Sequence, residues 1–162
     1  MGVFINGGIS RFRQTLGSEI YVDKTDMIDF LNRVLNTEQK CICVRRPRRF
    51  GKSITANMIA AYYEKESDSR SLFEGRKLSK IQNWDCELNK YNVIMIDIAD
   101  ILSSQGSAEK ALDYLEAAII EELKQVFPAL AQSMVGGIPE ALAFINEVTA
   151  EQFIIIIDEW DA

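Results

Sequence analysis

Histidine is absent from the 162 residues of the chain. That absence excludes Ser-His and Cys-His nucleophilic triads, two-His metal sites and most imidazole acid–base catalysis. Any chemistry must run on carboxylates, lysine, hydroxyls, backbone N–H groups or a bound ion. Cysteine is scarce: Cys41 and Cys43 lie two apart in an apolar run, Cys86 stands alone, and no Cys-x-x-Cys pair occurs. An odd count without that spacing argues against a zinc site or a disulfide framework, so buried structural thiols are expected. No apolar run approaches the roughly 18 residues of a membrane span, the longest being Phe153 to Ile157. Residues 1–10 lack a basic segment leading into an apolar one, so no secretion signal is read and a cytoplasmic location is expected. With only 9 Gly and 3 Pro, and 48% apolar residues, collagen-like, low-complexity and disordered classes are excluded.

What is present is one domain's worth of chain, with no internal repeat and no linker-like stretch. The net charge of −6 argues against a surface devoted to nucleic acid. The charge distribution is less even than that sum. From Arg45 to Lys52 the chain reads RRPRRFGK, five basic residues in eight inside an acidic protein.

Apolar periodicity predicts a helix from Asp26 to Asn36, through Met27, Ile28, Leu31, Val34 and Leu35, with Thr25 as its N-cap. Lys40 to Val44 (KCICV) reads as a short buried strand. Ser53 to Lys65 is helical again, with Ile54, Met58, Ile59 and Tyr62 on one side. Residues 68–92 are expected to be loop and short helix, anchored by Trp84 and Leu88. A second buried strand is predicted over Tyr91 to Ala99, followed by a turn at Ser103 to Ser107. A long helix follows from Ala108 to Phe127, with Leu112, Leu115, Ile119 and Leu123 as its stripe and Pro128 as its stop. Gly136 and Gly137 make a loop, Pro139 suits the first turn of a helix over Glu140 to Val148, and Phe153 to Ile157 is a third strand. Continuous apolar strands separated by helices imply an α/β fold with a parallel sheet covered on both faces. Such sheets place ligands at the carboxyl ends of their strands, where Arg45 to Lys52 and Asp158 to Asp161 both fall.

The window Arg46 to Ser53 reads R-P-R-R-F-G-K-S, against a phosphate-loop pattern of G-x-x-x-x-G-K-[ST] between a strand and a helix. The first glycine is Arg46; the rest of the pattern is in place. Gly51 allows close approach of the backbone to an anion, Lys52 places an ammonium at the β and γ phosphates, and Ser53 is a candidate Mg²⁺ ligand. The helix N-terminus behind them adds about half a positive charge. Arg46 enters a left-handed conformation only at a cost of roughly 1–2 kcal/mol, so the loop is expected to start differently, with Pro47 fixing a turn. The strand FIIIIDE then delivers Asp158 and Glu159 at its carboxyl end, as a Walker B element does, with Asp158 the second candidate metal ligand. The candidate nucleotide-binding residues are Arg46, Pro47, Arg48, Arg49, Phe50, Gly51, Lys52, Ser53 and Ile54.

Tyr21-Val22-Asp23-Lys24-Thr25, Arg46 to Ser53, Leu72-Phe73-Glu74-Gly75 and Ile157-Asp158-Glu159-Trp160-Asp161 together resemble the AAA-ATPase-like family of bacterial and archaeal P-loop proteins. Its hallmarks read YVDKT, RPRRFGKS, LFxG and IDEYD. The resemblance runs from about Phe12 to the end of the chain, in the family's order, with Trp160 where tyrosine is usual. It implies arginine as the normal residue at position 46, an ASCE-type P-loop sandwich with strand order 5-1-4-3-2, and ATP with Mg²⁺ as ligands. Asp158 is then the acid on Mg²⁺, and Glu159, with Lys52, the catalytic pair, Glu159 polarising the attacking water. On this reading residues 1–39 are a lead-in and helix, 40–65 the Walker A unit, 91–127 the second strand and helix, and 153–161 the Walker B strand. Family members continue into further strands and often a PD-(D/E)XK nuclease-like domain, so the chain is expected to be the N-terminal part of a longer ATPase, with weak or no turnover by itself.

Two other readings compete. A nucleic-acid-binding module would use Arg45, Arg46, Arg48 and Arg49, with Arg11 and Arg13, against phosphates; it leaves the acidic strand end unexplained. A small-molecule kinase shares the phosphate loop but needs an acceptor site and a lid. Asp23 and Lys24 are expected either to touch the nucleotide or a neighbouring element, or to serve as a helix cap with solvated charges. Asp97 is open between a supporting role at the site and a plain strand exit.

Overall fold

The computed structural model describes residues 2–45, 47 and 49–160. The chain forms two compact units, residues 8–90 and residues 1–7 with 91–162.

The 8–90 unit is helical. It contains α1 (Gly8–Leu16), α2 (Met27–Val34), α3 (Lys52–Tyr63), the single turn α4 (Arg70–Phe73) and a 3₁₀ turn at Leu78–Lys80. The packing of α1 on α3 depends on a missing side chain: a Cβ at Gly8 would stand 2.5 Å from the Cβ of Ala60. Along α3 the expected stripe holds at Met58 and Tyr62, but Ile54 is exposed, and Ala60, Ala61 and Tyr63 are buried as well. The second half of α3 is therefore enclosed nearly all round, by aromatic neighbours. Phe12 stacks on Phe73 at 5.4 Å, and Tyr62 meets both Phe73 and Tyr63 edge to face. The polar ends of these rings are satisfied. The Tyr62 hydroxyl donates to the Trp84 carbonyl at 2.6 Å and accepts from Asn32, while the Tyr63 hydroxyl donates to Asn32 Oδ1. Burial pushes the Tyr62 hydroxyl up to about 12.

Three expectations for this unit are corrected. Lys40 to Val44 forms no strand, and Ile42 and Val44 are exposed at 39% each. A strand is stable only when its N–H and C=O groups find a neighbour, and no strand pairs with this segment among the described residues. Cys41 and Cys43 are exposed for the same reason, and Cys86, in a turn elsewhere, is exposed as well, so none is a buried structural thiol. Thr25 does not cap α2. Asp26 occupies that position without a side-chain hydrogen bond, and the Thr25 side chain bonds elsewhere.

In the other unit β1 (Asn92–Asp97) and β2 (Phe153–Asp158) pair in parallel, from Asn92 against Phe153 to Asp97 against Asp158. Two parallel strands need a crossover. It consists of α5 (Ile98–Gln105), α6 (Ala108–Val126), a 3₁₀ turn at Pro128–Gln132 and α7 (Ile138–Thr149). The second edge of β1 is covered by the start of the chain. Ile5 bridges Ile94 in antiparallel sense, Met95 N–H donates to the Phe4 carbonyl, and Asn6 exchanges bonds with Val93. That segment is held in turn by the Glu122 carboxylate, which accepts the N–H groups of Val3, Phe4 and Ile5 at 2.7–3.2 Å. Ile94, Ile96, Leu115, Ile119, Leu123, Leu130 and Ile145 form the core. Removing one such leucine side chain costs roughly 2–5 kcal/mol.

The expected second strand, third strand, long helix and Pro139 helix are all present, with differences at their edges. Helix α5 begins directly after β1, because the Asp97 carboxylate accepts the Asp100 N–H and caps it. The expected turn at Ser103 to Ser107 therefore contracts to Gly106, which ends α5 at φ 74°. Leu112 is exposed on α6, and Ala111 takes its place in the core. Strand β2 is not buried on both faces: Ile155 and Ile157, on one face, are 49% and 53% exposed.

Candidate functional site

The candidate phosphate-loop residues lie in the 8–90 unit. Arg46 and Arg48 fall outside the described residues. Pro47 and Phe50 close a turn, the Phe50 N–H donating to the Pro47 carbonyl at 3.4 Å. Arg49, inside it, lies at φ 68°, a left-handed position that costs a side-chain-bearing residue about 1–2 kcal/mol. The different start expected at Arg46 falls outside the described residues; the left-handed residue found in the loop ahead of Gly51 is Arg49. Gly51 follows at φ 73° and ψ 36°, and α3 starts at Lys52. Thr55 returns both its N–H (3.0 Å) and its hydroxyl (2.9 Å) to the Gly51 carbonyl, so the helix ladder begins immediately behind the glycine. The first N–H groups of α3, those of Lys52, Ser53 and Ile54, lack intrahelical acceptors by position and carry the positive end of the helix dipole. Lys52 is half-buried; Arg49, Phe50, Ser53 and Ile54 are exposed.

The Tyr21 to Thr25 segment is bracketed onto residues 76–78 by its odd-numbered side chains. Arg76 lies over the Tyr21 ring at 5.1 Å. Asp23 accepts the Lys77 N–H at 2.8 Å through one oxygen, and the Thr25 N–H and hydroxyl through the other. Thr25 Oγ1 accepts the Leu78 N–H at 3.1 Å. Partial burial opposes ionisation of Asp23, but the Lys77 and Thr25 donors and the Arg76 charge outweigh it and hold the carboxyl below its ordinary value. Lys24, between two of these anchors, reaches the loop, where its Nζ donates to the Phe50 carbonyl at 2.5 Å. Of the two expectations for this pair, contact with a neighbouring element is the one observed, for both residues.

Asp158 and Glu159 lie in the other unit, at the carboxyl end of β2. Asp158 is 7% exposed. Its Oδ1 accepts the Glu159 N–H at 3.0 Å, and its Oδ2 is buried without a hydrogen-bond partner among the described residues. Glu159 is half-buried at φ 50°, and Trp160 is 65% exposed. Asp161 falls outside the described residues. A buried carboxylate oxygen with no donor suits a hard cation, and oxygen-rich Mg²⁺ binding typically uses one or two carboxylates. No group of three metal-binding side chains is found among the described residues, so a cation here would draw its other ligands from substrate or water.

Two features escaped the sequence. Lys24 as a loop contact was unreadable because 26 residues separate it from Phe50. The register pairing of Asp97 with Asp158 was equally hidden, although both were visible as acids at strand ends. No described helix is long and apolar enough to cross a membrane.

A family model described as Predicted AAA-ATPase matches residues 7–162. No curated protein and no solved structure matches the chain.

Proposed function

The chain belongs to the Predicted AAA-ATPase family, and on that premise, which carries nucleotide binding in general, we propose that it binds ATP at the loop Arg46 to Ile54 and supports Mg²⁺-dependent hydrolysis. The observation that carries the reading is the loop's left-handed glycine set directly against the start of α3, with Lys52 as the first helical residue. That arrangement gathers the N–H groups of a helix start, the helix dipole and an ammonium at one point, which suits a polyphosphate anion. Lys52 would hold the β and γ phosphates, and the Ser53 hydroxyl and the Asp158 oxygen that is unpartnered among the described residues are each a candidate Mg²⁺ ligand. A bound Mg²⁺ would neutralise phosphate charge. Glu159 is the residue that orients and polarises the attacking water. The P-loop sandwich belongs to the same proposal, supported by the parallel pairing of β1 with β2, the second and third strands of the sequence reading, since strands 3 and 2 are neighbours in the 5-1-4-3-2 order.

Exposed Arg45 and Arg49 favour one competing ligand, nucleic-acid phosphate. Calorimetry with Mg-ATP separates the two. Lys52→Ala is expected to abolish binding, and Glu159→Gln to keep binding while stopping phosphate release. Unchanged nucleotide affinity in Lys52→Ala, together with DNA binding that falls steeply with salt, would replace the nucleotide reading by the nucleic-acid one.

A further inference from the structure

We propose that Lys24 is a positioning residue of the phosphate loop: by gripping the Phe50 carbonyl it holds the Phe50–Gly51 peptide so that the Gly51 N–H faces a bound phosphate anion. The inference rests on the phosphate-loop reading above and adds to it a residue outside the loop.

The geometry starts from the peptide unit. No cis peptide occurs among the described residues, so the Phe50 C=O and the Gly51 N–H point in opposite directions across one plane. An anion-binding loop needs its N–H groups turned inward and hence its carbonyls outward. The Lys24 Nζ meets the Phe50 carbonyl at 2.5 Å, which fixes that carbonyl toward Lys24 and sends the Gly51 N–H to the other side. Glycine cannot do this by itself. Lacking a Cβ, it accepts several orientations of the preceding peptide at similar energy. An external charged donor supplies the missing preference, since hydrogen bonds to charged groups are among the stronger ones.

Lys24 is in turn well placed to act as that donor. Asp23 is tied to Lys77 N–H and Thr25 to Leu78 N–H, so the backbone on both sides of Lys24 is anchored while its side chain crosses to the loop. The ammonium also lies 3.1 Å from where a Gly51 Cβ would be. Gly51 is thus favoured for its left-handed backbone, and its missing side chain leaves the Lys24 ammonium its present place.

The test compares the 162-residue chain with its Lys24→Met, Lys24→Arg and Lys52→Ala forms, using Mg-ADP and inorganic pyrophosphate in calorimetry and thermal unfolding without ligand. Loss of one charge-assisted hydrogen bond is expected to weaken both ligands about tenfold in Lys24→Met. Lys24→Arg is expected to recover most of the affinity, and the ligand-free melting temperature to stay unchanged. Parental affinity in Lys24→Met beside lost binding in Lys52→Ala overturns the role of Lys24 and leaves the phosphate loop standing. Weaker binding that tracks a lower ligand-free melting temperature, without rescue by arginine, makes the effect structural and also overturns it. If Lys52→Ala binds as the parent does, the phosphate-loop reading falls. The grip is then read from the Gly51 amide ¹H–¹⁵N resonance of the ligand-free chain, which should move in Lys24→Met; a resonance that stays in place refutes the contact.

Discussion

Asp97 and Asp158 are register partners at the carboxyl ends of the parallel strands β1 and β2. Neighbouring strands lie about 4.8 Å apart, so the two carboxylates repel each other unless something separates or neutralises them. Asp97 is drawn off to cap α5 through the Asp100 N–H at 3.1 Å, whereas Asp158 is buried with one oxygen unpaired among the described residues. Asp158→Asn keeps an acceptor for the Glu159 N–H and removes one of the two charges. In the absence of metal its melting temperature is expected to equal or exceed that of the parent. The extra stabilisation that Mg²⁺ adds to nucleotide binding should disappear. Thermal unfolding with ATP, with and without Mg²⁺, measures both effects, and a variant that keeps its full Mg²⁺ response would sink the assignment of Asp158 as a ligand.

Glu122 reaches from α6 to three successive N–H groups at the start of the chain. Glu122→Ala leaves those donors without their acceptor and loosens the segment that covers the second edge of β1. A loss of roughly 2–3 kcal/mol is expected in urea unfolding, at the upper end for a hydrogen bond to a charged group because several bonds go together. Hydrogen exchange should rise first at Val93 and Met95, whose N–H groups donate to Asn6 and Phe4.

Glu64 is fully buried at the end of α3, its Oε2 accepting the N–H of Gly8 at 2.7 Å and of Ile9 at 3.3 Å. Burial pushes its carboxyl up; the two N–H groups pull the other way without cancelling the effect, and the charge of Glu66 adds to it. Above the ordinary value of 4.5 the folded chain therefore holds a proton that the unfolded chain has released. Stability from this group is present in full below that value and is lost as the pH rises through the folded-state value. Glu64→Gln retains an acceptor for Gly8 and cannot ionise. Its unfolding free energy should change less than the parent's with increasing pH over that window, and parallel curves for the two proteins would rule out Glu64 as the source.

Gly51→Ala forces a Cβ into a left-handed residue and against the Lys24 ammonium. The ammonium can move aside, being the tip of a flexible chain, so the cost is mainly backbone strain of about 1–2 kcal/mol. Nucleotide affinity should fall more than that figure implies, since the displaced Lys24 releases the Phe50 carbonyl. Chemical unfolding and calorimetry on the same protein separate the two quantities.

The sequence alone determined the elements whose signals are local. The alternation of apolar runs with helical stripes marked β1, β2, α2, α3, α6 and α7 to within a few residues, and the Gly51-Lys52-Ser53 tripeptide marked the start of α3. The four motifs also sufficed to point to the family. Tertiary structure decided what depends on partners far along the chain. Lys40 to Val44 has the composition of a strand, but composition does not supply the neighbour that a strand's N–H and C=O groups require, and the segment with its two cysteines is exposed. Asp97 is open in the sequence between a supporting role at the site and a plain strand exit; the register sets it beside Asp158, and the α5 N-terminus gives it a donor. Lys24 is open in the sequence between a contact with the nucleotide or a neighbouring element and a solvated charge before a helix. The folding of residues 76–78 against Tyr21, Asp23 and Thr25 anchors the backbone from which its side chain reaches the Phe50 carbonyl, and no spacing in a one-dimensional chain records a contact made through an intermediary.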